Sequence, residues 1–123
     1  TVRASDEIDP FVDLPFLDIA RAGGFAPSQP DDVDRSELRE LVRRGHVVTR
    51  DGVYFHADTI DAAARIAAQL LADEPSGFTV AAFRDATGAS RKFVLPLVSE
   101  LDARGVTRRR DDLRIAGPRL PDT

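Results

Sequence analysis

Cysteine is absent from the 123 residues, which removes disulfides, thiolate nucleophiles and cysteine-ligated zinc together. Two histidines, His46 and His56, are too few for a histidine-rich metal site, so no metal and no cofactor are expected. No run approaches the roughly 18 to 20 apolar residues that a spanning helix needs, and no apolar segment follows the polar N-terminus, so neither a membrane partner nor export is expected. Catalytic patterns are missing too: there is no glycine-rich phosphate loop ending in Lys-Ser/Thr, no Gly-x-Ser-x-Gly and no His-Glu-x-x-His. Carboxylates are plentiful, but Asp6-Glu7-Asp9 and Asp31-Asp32-Asp34 lie in polar, loop-like surroundings that suit solvated charge. The expectation is a cytoplasmic chain with no catalytic residues and no enzyme activity of its own.

What is present is 42% hydrophobic and 31% charged, a globular composition in a length that fits one ordinary domain or two small ones. The net charge of −4 argues against a nucleic-acid partner. That charge is unevenly spread: residues 1–74 hold 8 arginines and 15 acids, a net −7, whereas residues 75–123 hold 9 basic and 6 acidic residues, a net +3. Such asymmetry points to two units with different tasks.

A near-repeat supports the division. Glu40-Leu41-Val42-Arg43-Arg44-Gly45 returns sixty positions later as Glu100-Leu101-Asp102-Ala103-Arg104-Gly105, and Arg50-Asp51 as Arg110-Asp111. Each copy reads as an amphipathic helix, a glycine stop and a hairpin. In the first, Asp34-Arg35-Ser36-Glu37 has the form of a capping box, Leu38, Leu41 and Val42 share a helical face, and Gly45 suits the left-handed position after the helix. Val47 to Arg50 and Val53 to His56 flank an Asp51-Gly52 turn, which places both histidines on a hairpin as wing-surface or half-buried imidazoles. Upstream, Leu14 to Ala22 reads as a helix with Pro15 in its first turn, and Phe25 to Val33 as a loop.

In the second unit Asp58 is expected to cap a helix with Ile60, Ala63, Ala64, Ala67, Leu70 and Leu71 on one face, ending before Pro75. Phe78-Thr79-Val80 is a short extended stretch or a cap, followed by a brief helix to Thr87. Ser90 is expected to cap the next helix, whose Phe93, Val94, Leu97, Val98 and Leu101 are spaced for burial, with a kink expected at Pro96. A hairpin around Arg110-Asp111-Asp112 completes the winged-helix order. The fold class is therefore α+β, mainly helical, with two tandem winged-helix domains, residues 1–57 and 58–123.

The cations of the second unit are the informative feature. Arg91 and Lys92 occupy a first helical turn, where they oppose the macrodipole unless an anion arrives. Arg84 lies in the preceding helix, and Arg108, Arg109, Arg110 and Arg114 in the hairpin, so a basic cleft between helix and wing is expected. On a two-residue period Arg108 and Arg110 share one face and Arg109 takes the other. Asp85, Asp111 and Asp112 are candidate partners for these arginines, in weak exposed pairs. Phe78, Phe83 and Phe93 sit at core-like spacing rather than as stacking platforms for bases.

The run from Gly77 to Asp102, with Arg-Asp-x-x-Gly-x-Ser-Arg-Lys-aromatic-x-x-Pro-Leu from Arg84 to Leu97 and Gly105 to Arg109 after it, resembles the last winged-helix domain of the bacterial selenocysteine-specific elongation factor. The similarity covers residues 59–119 well; residues 14–57 resemble that factor's preceding winged-helix domain more loosely, a spacer in that family. The resemblance implies RNA binding: a selenocysteine insertion hairpin in messenger RNA, read at a bulged base and its apical loop, with Arg84, Ser90, Arg91, Lys92, Arg109 and Arg114 as contacts. It implies the ribosome and selenocysteyl-tRNA as partners only through the full-length factor, and a monomer. The family's GTP-binding domains have no counterpart in these residues. One departure is Asp111-Asp112-Leu113 where the family's wing has Gly-Asp and a basic residue. The competing readings are a winged-helix DNA-binding regulator, which Pro96 and the scarcity of base-reading side chains disfavour, and a protein-interaction module without nucleic acid, which the net −4 would suit.

Overall fold

A computed structural model describes residues 10–122; the polar start of the chain, with Asp6, Glu7 and Asp9, lies outside the described residues. A 3-10 turn at Pro10–Asp13 leads into α1 (Pro15–Gly23), then α2 (Arg35–Arg43), β1 (Val47–Arg50) and β2 (Val53–His56). The chain continues through α3 (Ala57–Asp73), α4 (Val80–Thr87), α5 (Arg91–Arg104), β3 (Thr107–Arg110) and β4 (Leu113–Ala116). This is an α+β, mainly helical winged-helix arrangement. Among the described residues no helix is long and apolar enough to cross a membrane.

The sixty-residue offset of the sequence is kept in three dimensions. Both sheets are two-stranded and antiparallel, pairing Arg50 with Val53 and Arg110 with Leu113 across their turns. Both preceding helices end alike: the Leu41 carbonyl accepts from His46 N–H and the Leu101 carbonyl from Val106 N–H, each at 3.0 Å, around Gly45 (φ 80) and Gly105 (φ 79). This six-to-one bond over a left-handed residue is the Schellman closure that glycine permits. The wing turn survives the loss of glycine, because Asp111 takes the left-handed conformation (φ 56) that Asp51 takes in the first hairpin (φ 55). Asp tolerates that region through local side-chain hydrogen bonding. Phe78 extends the second sheet, exchanging backbone bonds of 3.0 and 2.8 Å with Arg114.

Two expected caps differ. The N-cap of α3 is His56, whose buried Nδ1 accepts from the Asp58 N–H at 2.9 Å, so Asp58 sits inside the first turn. The reason is that β2 runs into α3 without a loop, and its last extended residue becomes the cap. Ser90 does hold the N-cap position of α5, but its hydroxyl makes no cap bond. Asp34, by contrast, accepts from the Ser36 hydroxyl and from the Glu37 and Ser36 N–H groups, which hold its carboxyl below the usual range. Helix α5 runs unbroken through buried Pro96, which can give no N–H to the Lys92 carbonyl.

The apolar interior does not divide where the charge does. Phe16, Leu17, Ala20, Leu38, Leu41 and Val47 form a small cluster among α1, α2 and β1. Val53 and Phe55 of β2 instead belong to the larger cluster with Ile60, Ala63, Phe83, Val94, Leu97, Val98 and Leu101. Phe78 and Phe83 are core residues there, with ring centroids 5.6 Å apart, and Phe93 packs against the same cluster half-buried. An ion pair of 3.1 Å between Arg50 on β1 and Glu100 on α5 also joins the first hairpin to α5.

Candidate nucleic-acid interface

The α4–α5 turn is pinned locally. The Thr87 hydroxyl donates to the Phe83 carbonyl (3.0 Å) and accepts from Ala89 N–H (3.1 Å), while Gly88 closes α4 onto the Arg84 carbonyl (2.8 Å). Burial of Ala89 fixes where α5 begins. Ser90's carbonyl accepts from Phe93 and Val94 N–H at 3.0 and 2.9 Å, so the N–H groups of Arg91 and Lys92 are the outermost donors. With Ser90's hydroxyl not turned onto them, these donors face outward beside two exposed cations. Neither cation has a salt-bridge partner among the described residues; the Lys92 Nζ lies 5.3 Å from the Phe93 ring centroid. Arg84, exposed on α4, is likewise unpaired.

The wing sorts its arginines by face. Partners across an antiparallel ladder project to the same side, so Arg109 with Arg114 lie on the face that carries Thr107, and Arg108 and Arg110 on the other. The first face looks onto α5, because Asp102 there accepts from the Thr107 hydroxyl (2.6 Å) and the Arg114 Nε (3.1 Å). Arg114 is thereby tied down, its side chain only 13% exposed. Arg109 stays exposed and donates to the Asp111 carbonyl at 3.1 Å. The carboxylate that engages a wing arginine is thus Asp102; Asp85, Asp111 and Asp112 form no ion pair with those arginines among the described residues.

The head of α5 opens on a groove of about 470 Å³, lined by Arg91, Lys92, Leu95, Pro96, Gln29, Asp51, Gly52 and Val53. Its far wall is the first hairpin's turn rather than the wing of α5's own unit, where a cleft was expected. Sequence reading also missed a second basic face. Arg35, Arg39 and Arg43, four residues apart on α2, line a groove of about 500 Å³ with Leu38, Val42, Thr49 and Tyr54. Their spacing was available as a signal but was masked by the net −7 of residues 1–74. Arg43 is partly committed, since it and Arg44 hydrogen-bond Glu40 and hold that carboxyl down to about 2. Among the described residues no group of three or more His, Asp or Glu could hold a metal ion.

Residues 69–116 match the family described as elongation factor SelB, winged helix, a span that contains all six expected contact residues. The mRNA-binding domain of elongation factor SelB from E. coli, solved in complex with SECIS RNA, superposes with a TM-score of 0.60 at 27% identity, over 68% of this chain and 69% of that one. The bacterial selenocysteine-specific elongation factor EF-Sec superposes with a TM-score of 0.72 at 19% identity. That match covers 94% of this chain but 20% of the EF-Sec chain, so the present residues span about a fifth of its length. No curated protein sequence matches. The matched span takes in α4, α5 and the second hairpin, so this part of the chain is similar to a winged helix of the elongation factor SelB family.

Proposed function

We propose that the chain is an RNA-binding module that recruits a selenocysteine-specific elongation factor to a selenocysteine insertion hairpin in messenger RNA. The observation that carries this reading is the head of α5, where exposed, unpaired Arg91 and Lys92 flank outward-facing backbone donors. That is an arrangement for phosphate, in a chain whose relative of 27% identity was solved with SECIS RNA. Arg91, Lys92, Ser90 and Arg84 form the helical half of the contact, and Arg109 and Arg114 the wing half, with Arg114 aligned by Asp102.

On this reading residues 58–123 are the RNA reader and residues 1–57 the arm that joins it to the rest of a factor. The arginine face of α2, of which Arg43 is held by Glu40, gives that arm an attraction for RNA backbone of its own. The module acts as a monomer in the cytoplasm, without cofactor or catalysis. GTP, selenocysteyl-tRNA and the ribosome are engaged by other parts of such a factor.

The test is a titration of the chain, at several salt concentrations, against a bulged RNA hairpin, its bulge-deleted form and duplex DNA. Tight binding confined to the bulged hairpin is expected, with a salt slope of roughly 0.7 to 0.9 per neutralised phosphate. Equal affinity for duplex DNA would favour a winged-helix DNA regulator, and absence of binding to every nucleic acid a protein-interaction module.

A further inference from the structure

The flank of α2 and the first hairpin enclose a groove of about 500 Å³ whose lining suits more than RNA backbone. Its floor is apolar, made by buried Leu38 with half-buried Val42 and Tyr54, which pack in or against the small cluster. Its rim carries Arg35 and Arg39, both exposed and neither in an ion pair among the described residues. We propose that this groove docks an acidic amphipathic helix of a partner protein, its carboxylates on the arginines and its apolar side chains on the floor. This docking does not depend on RNA binding and uses a face on the opposite side of the sequence from Arg91 and Lys92.

Two features set the groove apart from a phosphate site. At the head of α5 the first backbone donors face outward, whereas at the head of α2 the Asp34 carboxylate accepts from Ser36 and Glu37 N–H at 2.8 and 3.2 Å. The donors and dipole that would hold a phosphate are thus occupied by a negative charge of the chain itself, which repels another. The second feature is the floor. Arginines attract any anion, but a hydrated phosphodiester chain offers little apolar surface to set on Leu38, Val42 and the Tyr54 ring. The apolar face of an amphipathic helix removes that surface from water. Arg35, Arg39 and Arg43 recur every four residues, a row of roughly 12 Å at a rise of about 1.5 Å per residue. Acids four residues apart on a partner helix repeat at the same interval, and a guanidinium grips each carboxylate through two parallel N–H donors. Carboxylates of the chain limit the row at both ends. Glu40 holds Arg43, and Asp31 stands where the groove continues past Arg35, so Arg35 and Arg39 are the anchors.

The experiment selects binders of the whole chain from a displayed library of helical peptides randomised along one face. Recovered peptides are made without tyrosine or tryptophan and titrated by the fluorescence of Tyr54, the single tyrosine, which lies in the groove. Acids at four-residue intervals beside apolar residues are expected, with binding that changes the Tyr54 signal. Arg35→Gln/Arg39→Gln is expected to weaken it about tenfold, as the loss of two exposed ion pairs implies, with an unchanged melting temperature. Replacing the peptide's apolar residues by serine is expected to weaken it at least as much. Selection of basic or uncharged peptides, equal binding to the double variant, or binding that survives the serine replacement overturns the proposal. So does a loss of bulged-hairpin affinity in the double variant as large as the loss of peptide affinity, which assigns the face to RNA. Self-association abolished by the same variant assigns it to a second copy and overturns the proposal as well.

Discussion

Arg91 and Arg114 carry the same charge and have opposite commitments, which separates their roles in a measurable way. Arg91 has no salt-bridge partner among the described residues, so Arg91→Ala is expected to leave thermal stability unchanged while weakening hairpin binding and lowering the salt slope by about one phosphate. Arg114 is half-buried against Asp102, and Arg114→Ala is expected to cost about 1 kcal/mol in urea denaturation as well as affinity. His56 supplies a pH dependence. Burial, countered in part by Asp58 and reinforced by Arg21 and His46, lowers its pKa below the usual 6.5, and protonating Nδ1 would also break the cap bond to Asp58 N–H. The unfolded state then binds the extra proton. This contribution is therefore complete above pH 6.5 and is lost as pH falls through the folded-state value. Melting temperature is expected to drop between pH 7.5 and pH 5.5 more steeply for the unaltered protein than for His56→Asn, which retains a capping side chain.

At the level of elements, the helices differ in whether the N-cap side chain closes the first turn. Thr79 begins α4 by accepting from Ala82 N–H at 3.0 Å, so Thr79→Ala is expected to cost about 1 kcal/mol. Ser90→Ala, which removes no cap bond, is expected to stay within about 0.5 kcal/mol by the same denaturation assay while reducing affinity for the hairpin. Much of this layer was legible in the sequence. The period of Leu38, Leu41 and Val42, the Asp51-Gly52 turn and Pro15 mark α1, α2 and the first hairpin because each signal is local. His56 as a cap was not legible, since it requires β2 to enter α3 with no intervening residue. Nor was the far wall of the α5 groove: Asp51 and Arg91 lie forty positions apart, and no periodicity within one element states which hairpin a helix will face.

Across the whole molecule, charge and packing draw different boundaries. Net charge changes sign near Glu74, whereas the larger apolar cluster reaches back to Val53 and Phe55. Burying these side chains against Val94, Leu97 and their neighbours couples the hairpin to the helices by several kcal/mol, on the order of 1.5 to 3 for each side chain. Unfolding is accordingly expected to be one cooperative transition. Tyr54 on β2, the single tyrosine in a chain without tryptophan, reports on the first unit by fluorescence, and its urea midpoint should coincide with that of helical circular dichroism. Two separated midpoints would show the units to be independent.

Arg50 and Arg110 occupy the same place in the two copies of the repeat. Arg50 reaches forward to Glu100 in the next copy, where Arg104 also pairs, and that glutamate is held at 11% side-chain exposure. Arg110 is exposed and has no ion pair among the described residues. The same residue type thus ties the first hairpin to α5 at position 50 and is exposed to solvent at position 110. The same substitution would loosen a joint at position 50 and merely trim an exposed surface at position 110.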